Sequence, residues 1–343
     1  MYEFKTTEQN NAKANDYETK ALLYLLSYRI DSRSIQVFAI DCFNDVTGCN
    51  KQYTKLWDIQ SKNEQSLTPR KIGKYLITLF LNFQHDFPFE HFIFFMPKLQ
   101  EGYLQNEKLK TFDLKNFKQK QYSKIKEGLI AEYNRKQKQS PDETQIKSFL
   151  SRVLFVLGED SKIDYVKKIT NFKTQIIQDK FFEAIFNEIR DKQTALKNIS
   201  IHNNRIENAS DIANTNKLFK RTDFDTLIIN RFIGFDLFKN LNNIPLSFRD
   251  SIKDFELEEC KDIIQNIHSE IARVLFDKNN KKLFWFFFED LIITVKNNIN
   301  SSPSDILQVL KKNNVNVPSE FTEFTLIYLI ALIKDGWQSE ENL

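Results

Sequence analysis

The sequence predicts two domains, an α/β domain with a central mixed sheet flanked by helices and then an all-α domain. The chain has 343 residues, which suits about two domains. It contains only 7 Gly and 7 Pro, too few for the many tight turns of a β-sandwich or a propeller. Short β-branched and aromatic runs stop near residue 157, whereas helical spacing of apolar residues continues. We place the α/β domain at residues 1–200 and the helical domain at 201–343.

A helix and a β-hairpin are the first predicted elements. Residues 12–29 carry apolar side chains at a spacing that favours an amphipathic helix. Residues 35–40 and 54–61 are short runs of β-branched and aromatic side chains, which indicates strands. Residues 47–50, Thr-Gly-Cys-Asn, lie between these runs and are typical of a turn. The helix is therefore expected to lead into a hairpin.

A second helix and two further strands follow the hairpin. Residues 69–84 begin with a proline, which suits the first turn of a helix, and continue with apolar residues at helical spacing. Residues 91–96 are continuously apolar, as expected of a strand buried on both faces. Residues 153–157 form another apolar run, which we expect to return to the sheet. The pattern of residues 160–197 is helical.

The second domain is predicted to be a helical bundle. Residues 198–217 are polar and rich in asparagine, so we interpret them as a linker and place the domain boundary near residue 200. Helix-like segments follow at residues 223–241, 251–276, 281–298, 304–313 and 320–334. We expect this bundle to bind a regulator or a second copy of the chain.

Positive charge is concentrated in one segment. The 49 basic and 46 acidic side chains give a net charge of only +3, so the field of the whole molecule would not attract nucleic acid. Residues 103–138, however, contain ten Lys or Arg against four acidic residues. This segment is either a contact surface for a phosphate backbone or an ordinary solvated helix face.

Several classes of protein are excluded. The longest apolar runs, residues 283–288 and 326–333, are far shorter than the roughly 20 residues that span a bilayer. The first 20 residues are polar and carry several acids, unlike a secretory signal. The 3 cysteines include no C-x-x-C pair, and no glycine pattern for nucleotide phosphates occurs. We expect a cytoplasmic protein with no membrane partner.

The residues that suggest chemistry lie in the predicted hairpin and the helix before it. In a strand over residues 56–61, alternate side chains share a face, so Asp58, Gln60 and Lys62 point the same way. Asp45 lies at the end of the first strand, and Glu18 projects toward the apolar side of the first helix.

Oxygen ligands in this arrangement suit a divalent cation. Carboxylate and amide oxygens are ligands of the kind that Mg²⁺ prefers, and Mg²⁺ retains several waters, so two or three protein oxygens are enough. An ammonium group beside such an ion can orient an attacking water or stabilise a phosphate oxygen as its charge develops. The alternative without a function is that Asp58, Gln60 and Lys62 form the solvated face of a half-exposed strand, with Trp57 and Ile59 in the core.

These residues and their surroundings resemble the PD-(D/E)xK nuclease superfamily. More narrowly, the chain is similar to double-stranded DNA endonuclease domains of bacterial anti-phage systems, including those that accompany cyclic-oligonucleotide signalling enzymes. The resemblance covers roughly residues 15–197 and rests on the phrases DYETKALLYLL, IDCFNDV, LWDIQSK, FIFFM, IKSFLSRVLFV and EIRDKQTALKN. It implies that the first domain is restriction-endonuclease-like, with a core that runs helix, strand, strand, strand and then a flanking helix.

The resemblance also assigns roles to individual residues. It implies that Asp45 is the metal-binding aspartate of the second strand and that Lys62 is the catalytic lysine. Gln60 stands where many relatives have a metal-binding acid, and Glu18 matches the acid of the first helix. Because Gln60 is neutral, it brings a carbonyl ligand without a charge. Glu18 or Asp58, as an accessory residue, could restore the missing negative charge.

The implied function is an Mg²⁺-dependent endodeoxyribonuclease, with Mn²⁺ as a possible substitute. Its implied partners are double-stranded DNA, other subunits of a defence system such as an ATPase or a sensor, and a second copy of the chain. Because an ungated nuclease would destroy its host, we expect low activity until a partner or a signal activates it. One alternative is a catalytically inactive nuclease-like subunit that binds DNA or scaffolds a complex. Another is a nuclease that cuts RNA.

Overall fold

The computed structural model describes residues 2–3, 12–173, 177–199, 205–234, 236–238 and 244–340. The chain divides into two compact units. The first unit comprises residues 1–165 and 186–221, and the second comprises residues 166–185 and 222–343. The sequence placed a single boundary near residue 200, whereas the chain leaves the first unit, returns to it and leaves it again.

The first unit contains the predicted mixed sheet, with seven strands. Its strands are β2 (Val37–Ile40), β3 (Val46–Cys49), β4 (Leu56–Ser61), β5 (Phe89–Met96), β6 (Thr111–Asp113), β7 (Val153–Leu157) and β9 (Leu218–Lys220). The order across the sheet is β6-β7-β5-β4-β3-β2-β9. Strands β4, β5 and β7 are parallel to one another, and the other neighbours are antiparallel. A separate short pair joins β1 (Tyr2–Glu3) to β8 (Arg205–Ile206).

Helices flank this sheet. They are α1 (Ala12–Leu23), α2 (Pro69–Tyr75), α3 (Ile77–Phe83), α4 (Gln119–Gln137) and α5 (Glu143–Ser151). A single π-helical turn, Tyr24–Tyr28, extends α1. Helix α2 begins where the sequence predicts, because Pro69 occupies its first turn and the Thr68 hydroxyl accepts a hydrogen bond from the Lys71 N–H. Helices α6 (Lys162–Thr170) and α7 (Asp179–Lys197) contribute residues to both units.

The second unit is helical, as predicted. Its helices are α8 (Arg221–Ile233), α9 (Leu257–Phe276), α10 (Lys281–Asn297), α11 (Pro303–Lys312) and α12 (Glu323–Glu340). The apolar run Leu326–Ile333 within α12 is buried, so it forms core. No helix that the structure describes combines the length and the apolar character needed to cross a membrane.

The predicted turn at residues 47–50 is wrong, because most of it belongs to strand β3. The chain turns earlier, through residues 41–45, where Asp41 has a φ of 50° and its N–H donates to the Asp45 carbonyl at 3.1 Å. Gly48 is needed for close packing and not for a turn, because a Cβ atom there would lie 2.8 Å from Cγ2 of Ile35. Strands β2, β3 and β4 therefore form a three-stranded meander in place of the expected hairpin.

The predicted linker at residues 198–217 is also wrong for its described part. Residues 205–206 pair with β1, and β9, which follows directly, pairs with β2 at the edge of the large sheet. The side chain of Lys217 is buried, with 2% exposure. Residues 200–204 of the predicted linker lie outside the described residues. Strand β9 begins directly after the predicted linker and is only three residues long, which is too short to leave a strand pattern in the sequence.

Candidate active site

Asp45 meets the end of β4 because of the register between β3 and β4. Val46 lies opposite Ile59 in this antiparallel pair, which brings Asp45 opposite Gln60. Oδ2 of Asp45 accepts hydrogen bonds from the Ser61 N–H at 2.6 Å, the Ser61 hydroxyl at 2.7 Å and Nε2 of Gln60 at 2.9 Å. Among the described residues, nothing donates to Oδ1 of Asp45. The hydrogen bonds to Oδ2 thus fix the carboxylate, and Oδ1 is left able to accept a further bond.

Gln60 is held between Asp45 and helix α3. Its Oε1 accepts a hydrogen bond from the Thr78 hydroxyl at 2.9 Å, while its Nε2 donates to Asp45. A half-turn of the amide would place the oxygen beside Asp45 and the NH₂ group beside the Thr78 hydroxyl, which can also accept. With a cation between the two oxygens, Gln60 could therefore offer a carbonyl oxygen next to Asp45, at the loss of the bonds that its Nε2 donates to Asp45 and to the Ser61 carbonyl.

Lys62 follows directly after β4, and its backbone N–H donates to the Phe95 carbonyl at 2.9 Å. Its ammonium lies 5.5 Å from the centre of the Tyr75 ring, within the range of a cation–π contact. The Tyr75 hydroxyl donates to Oε2 of Glu64 at 2.9 Å, which fixes the ring. The half-buried Lys62 is thereby held near the end of the strand.

Burial governs the charge on Asp45. Loss of solvent raises the pKa of the Asp45 carboxyl, while the charges of Lys62 and Lys197 and the hydrogen bonds from Ser61 act in the opposite direction. A carboxylate that has lost much of its hydration gains more from a nearby cation than an exposed one does.

Glu18 lies on the inner side of α1, as the helical pattern predicts, and is buried with 6% exposure. Both of its carboxylate oxygens accept hydrogen bonds from Nζ of Lys197, at 2.9 and 3.1 Å. Burial lowers the pKa of the Lys197 ammonium, but the charge and hydrogen bonds of Glu18 and the charges of Asp45 and Asp41 together outweigh this effect, so the pKa is raised. The charges of Asp45 and Asp41 also act on the Lys197 ammonium, which is in contact with Glu18.

A second buried lysine completes this group of charges. Nζ of Lys217 donates to Oδ2 of Asp41 at 3.3 Å and to the backbone carbonyl of Lys197 at 3.1 Å. Sequence reasoning missed Ser61, Lys197 and Lys217 as site residues. Lys197 lies within the phrase EIRDKQTALKN, which was a usable signal, whereas Lys217 lies in the presumed linker and gave none.

Asp58 lies apart from these residues, inside the layer between the sheet and α3. Its Oδ2 accepts hydrogen bonds from Nδ2 of Asn44 and of Asn82, and its Oδ1 accepts one from the Thr47 hydroxyl at 3.1 Å. Burial raises the pKa of Asp58 to about 7, although these donors lower it. We therefore interpret Asp58 as a residue that joins β3, β4 and α3.

The face that Asp58 and Gln60 share is covered by α3. Thr78 and Asn82 are one helical turn apart and bond to Gln60 and Asp58, respectively. Asp58 is fully buried and Gln60 is 6% exposed. The solvated strand face that the sequence left open as an alternative is thus wrong.

Candidate metal ligands are sparse in this site. Within the described residues, no group of three or more His, Cys, Asp or Glu side chains is placed to hold a metal ion. Of the expected ligands Asp45, Gln60 and Glu18, the first two are in contact, and the third is bound to Lys197. A cation at the end of β4 would therefore rely on Asp45, Gln60 and water.

The basic segment 103–138 spans a loop, β6 and α4. Part of its charge is paired within the first unit, through Lys110 with Asp160, Lys126 with Glu143 and Arg135 with Glu132. The remaining basic residues are exposed. They are Lys108, Lys115, Lys118, Lys120, Lys124, Lys136 and Lys138.

Comparisons with family models, with curated proteins and with solved structures found no significant match to this chain.

Proposed function

We propose that this chain is an Mg²⁺-dependent endonuclease that hydrolyses phosphodiester bonds of double-stranded DNA. The observation that carries the proposal is the contact between Asp45 and Gln60 at the end of β4, with the Lys62 charge acting on the same carboxylate. An acid, an oxygen ligand and an ammonium at one strand end are the groups that phosphodiester hydrolysis by a metal ion requires.

Asp45 and Gln60 are the residues that would hold the metal ion. Oδ1 of Asp45 is left for a cation by the donors on Oδ2, and a turned Gln60 amide would bring its oxygen close to the same carboxylate. Two protein oxygens suit Mg²⁺, which retains most of its waters, and Mn²⁺ accepts the same ligands. When bound, the ion would acidify a water and withdraw charge from the phosphate.

The chain's own residues would position the reaction. Lys62 would donate a hydrogen bond to the phosphate oxygen on which negative charge develops. The Tyr75 ring would hold that ammonium in place, and Ser61 would hold the Asp45 carboxylate. In the hydrolysis, the water oxygen forms a new bond to phosphorus as one ester P–O bond breaks, and the leaving oxygen takes up a proton.

The order of elements supports a restriction-endonuclease-like first domain. Helix α1 precedes the meander β2–β4, and helices α2 and α3 then lead to the parallel strand β5. This is the order that the resemblance to PD-(D/E)xK nucleases implies. On the same basis we propose that the protein is a cytoplasmic effector of a bacterial anti-phage system, which another subunit or a signal activates.

Plasmid cleavage tests the proposal. Purified full-length protein is incubated with supercoiled plasmid in Mg²⁺, in Mn²⁺ and in EDTA, beside Asp45→Ala and Lys62→Ala. We expect metal-dependent nicking that each substitution lowers by about 100-fold or more, because each removes a group that acts at the reacting phosphate. Lys51→Ala, in an exposed turn ahead of β4, is the matched control and should cut like the wild type. Equal cleavage by wild type and Asp45→Ala would refute the proposal.

One observation favours a second candidate, a subunit that binds DNA without cutting it. Glu18 is bound to Lys197, and Gln60 carries no charge. Among these three site residues, Asp45 is therefore the one whose carboxylate could bind a cation at the end of β4. A site with one carboxylate holds a divalent ion weakly. Plasmid binding in a gel-shift assay that persists in Asp45→Ala, with no cleavage by either protein in Mg²⁺ or Mn²⁺, would support this candidate.

A further inference from the structure

We propose that Lys197 takes the place of a second metal ion in this site, so that the chain binds one divalent cation. This inference rests on the proposed function, and it assigns to Glu18 a role different from the metal ligand that the resemblance implies. The ammonium of Lys197 would be the cation that Glu18 binds. Divalent cation would then bind only at Asp45 and Gln60.

The contact between Glu18 and Lys197 is close and sheltered. Both oxygens of Glu18 lie within hydrogen-bond distance of Nζ of Lys197, and the two side chains are 8% and 12% exposed. A divalent ion at Glu18 would have to displace this ammonium and leave it buried without its main partner, which is costly. The ion pair therefore protects Glu18 from metal.

The backbone keeps Lys197 in this position. Lys197 occupies the last turn of α7, and its carbonyl accepts a hydrogen bond from the buried Lys217. One turn earlier, Oε1 of Gln193 accepts a hydrogen bond at 2.8 Å from the hydroxyl of Thr19, the residue after Glu18. Helices α1 and α7 are thus joined one turn before the ion pair, and Lys217 holds the backbone at Lys197, which together restrict the distance between the two charges.

The balance of charge also favours a single divalent ion. Lys62, Lys197 and Lys217 already bring three positive charges to the carboxylates of Glu18, Asp41 and Asp45 before any metal binds. One divalent ion adds two positive charges, which the phosphates of bound DNA can neutralise. A second ion would add two more close to three ammonium groups, where unbalanced charge is costly.

Counting bound Mn²⁺ tests the inference without measuring activity. Mn²⁺ is titrated into the full-length chain without DNA, and the free ion is followed by its EPR signal. We expect one Mn²⁺ per wild-type chain and none for Asp45→Ala. Lys197→Met should bind two, because the ammonium that occupies both oxygens of Glu18 is removed. Lys192→Met, an exposed position on α7, is the matched control and should bind one.

The outcomes separate the two proposals. Two Mn²⁺ per wild-type chain, or a single Mn²⁺ in folded Lys197→Met, would overturn the inference and leave the proposed nuclease standing. No Mn²⁺ in the wild type would overturn the proposed function itself, and the inference with it. Because Lys197→Met removes half of a buried ion pair, its folding is checked by circular dichroism. Lys197→Arg, which retains the charge, should still bind one ion, and the wild-type count is decisive whether or not the variants fold.

Discussion

Asp45 and Asp58 show how one residue type takes two roles on neighbouring strands. Asp45 keeps one carboxylate oxygen without a donor among the described residues, whereas both oxygens of Asp58 accept hydrogen bonds from side chains. The alternation of a strand cannot distinguish them, because it fixes which face a side chain takes and not what covers that face. Here α3 covers Asp58, and the end of the strand leaves Asp45 beside Lys62.

The raised pKa of Asp58 makes stability depend on pH. The pKa is about 7 in the folded chain, against an ordinary value of 3.8, so the folded state binds a proton more tightly than the unfolded state does. The stabilisation is complete below the unfolded pKa and is lost as the pH rises through about 7.

Asp58→Asn should remove this dependence and keep the contacts. The asparagine oxygen can accept from Asn44 and Asn82, and its NH₂ group can donate to the Thr47 hydroxyl. We expect the free energy of unfolding of Asp58→Asn, relative to wild type, to rise by about 2 to 3 kcal/mol between pH 5 and pH 8. Urea denaturation of Asp58→Asn and wild type at pH 5 and pH 8 measures the two free energies of unfolding.

The control for this prediction is Asp58→Ala. It should be destabilised at both pH values by about 2 kcal/mol or more, because it removes the oxygen that accepts hydrogen bonds from the amide groups of Asn44 and Asn82. A constant difference between Asp58→Asn and wild type from pH 5 to pH 8 would contradict the raised pKa. Loss of cleavage in folded Asp58→Asn would instead indicate that the residue has an accessory role in the site.

At the scale of elements, the contact between α2 and α4 positions Tyr75, and through it the site residue Lys62. The helices approach closely at two glycines. A Cβ atom on Gly73 would lie 2.0 Å from the Ile125 carbonyl oxygen, and one on Gly128 would lie 2.1 Å from the Arg70 carbonyl oxygen. Helix α2 ends at Tyr75, whose ring lies beside Lys62, so the distance between the two helices also sets the position of the site lysine.

Gly128→Ala should therefore push the two helices apart. We expect a loss of about 3 kcal/mol in the free energy of unfolding, because the obstacle is backbone that cannot move aside on its own. Cleavage by the folded fraction should fall as well, since Tyr75 moves with α2. Ser123→Ala, on the same helix, is the control and should change stability by less than about 0.5 kcal/mol. Equal stability of Gly128→Ala and wild type in urea would show that the helices are not in contact there.

At the scale of the whole molecule, the net charge of +3 is too small to explain DNA binding, so a local surface must supply it. Helix α4 and the residue before it carry the exposed Lys118, Lys120 and Lys124. If these side chains contact phosphates, they release counterions, and the affinity falls steeply with added salt.

Replacing these three lysines with glutamine should lower DNA affinity and reduce the slope of log affinity against log salt by about 2 to 3. The control replaces the exposed Lys253, Lys278 and Lys312 of the second unit, which changes the net charge equally. Fluorescence anisotropy with a labelled duplex at several salt concentrations measures both proteins. Identical slopes for the two triple variants would identify segment 103–138 as an ordinary solvated surface.

Much of the architecture could be predicted from local sequence. Residues 91–96 and 153–157 are strands, and the second unit consists of the predicted helices, because burial on one or all sides leaves a periodic or continuous apolar pattern. Strands β3 and β9 could not be predicted in this way. Each is short, and each is held by its neighbours in the sheet more than by its own composition.

The sequence by itself determined the elements that carry Gln60, Lys62 and Glu18, since each lies in or beside a segment with a clear local pattern, whereas Asp45 directly precedes β3, which it did not predict. Only the tertiary structure decided which of these side chains meet. It brought Asp45 to Gln60 through strand register, buried Asp58 under α3, and placed Lys197 from a distant helix against Glu18. Local patterns report whether a side chain faces the core, whereas the partner of a charge depends on contacts between segments far apart in the chain.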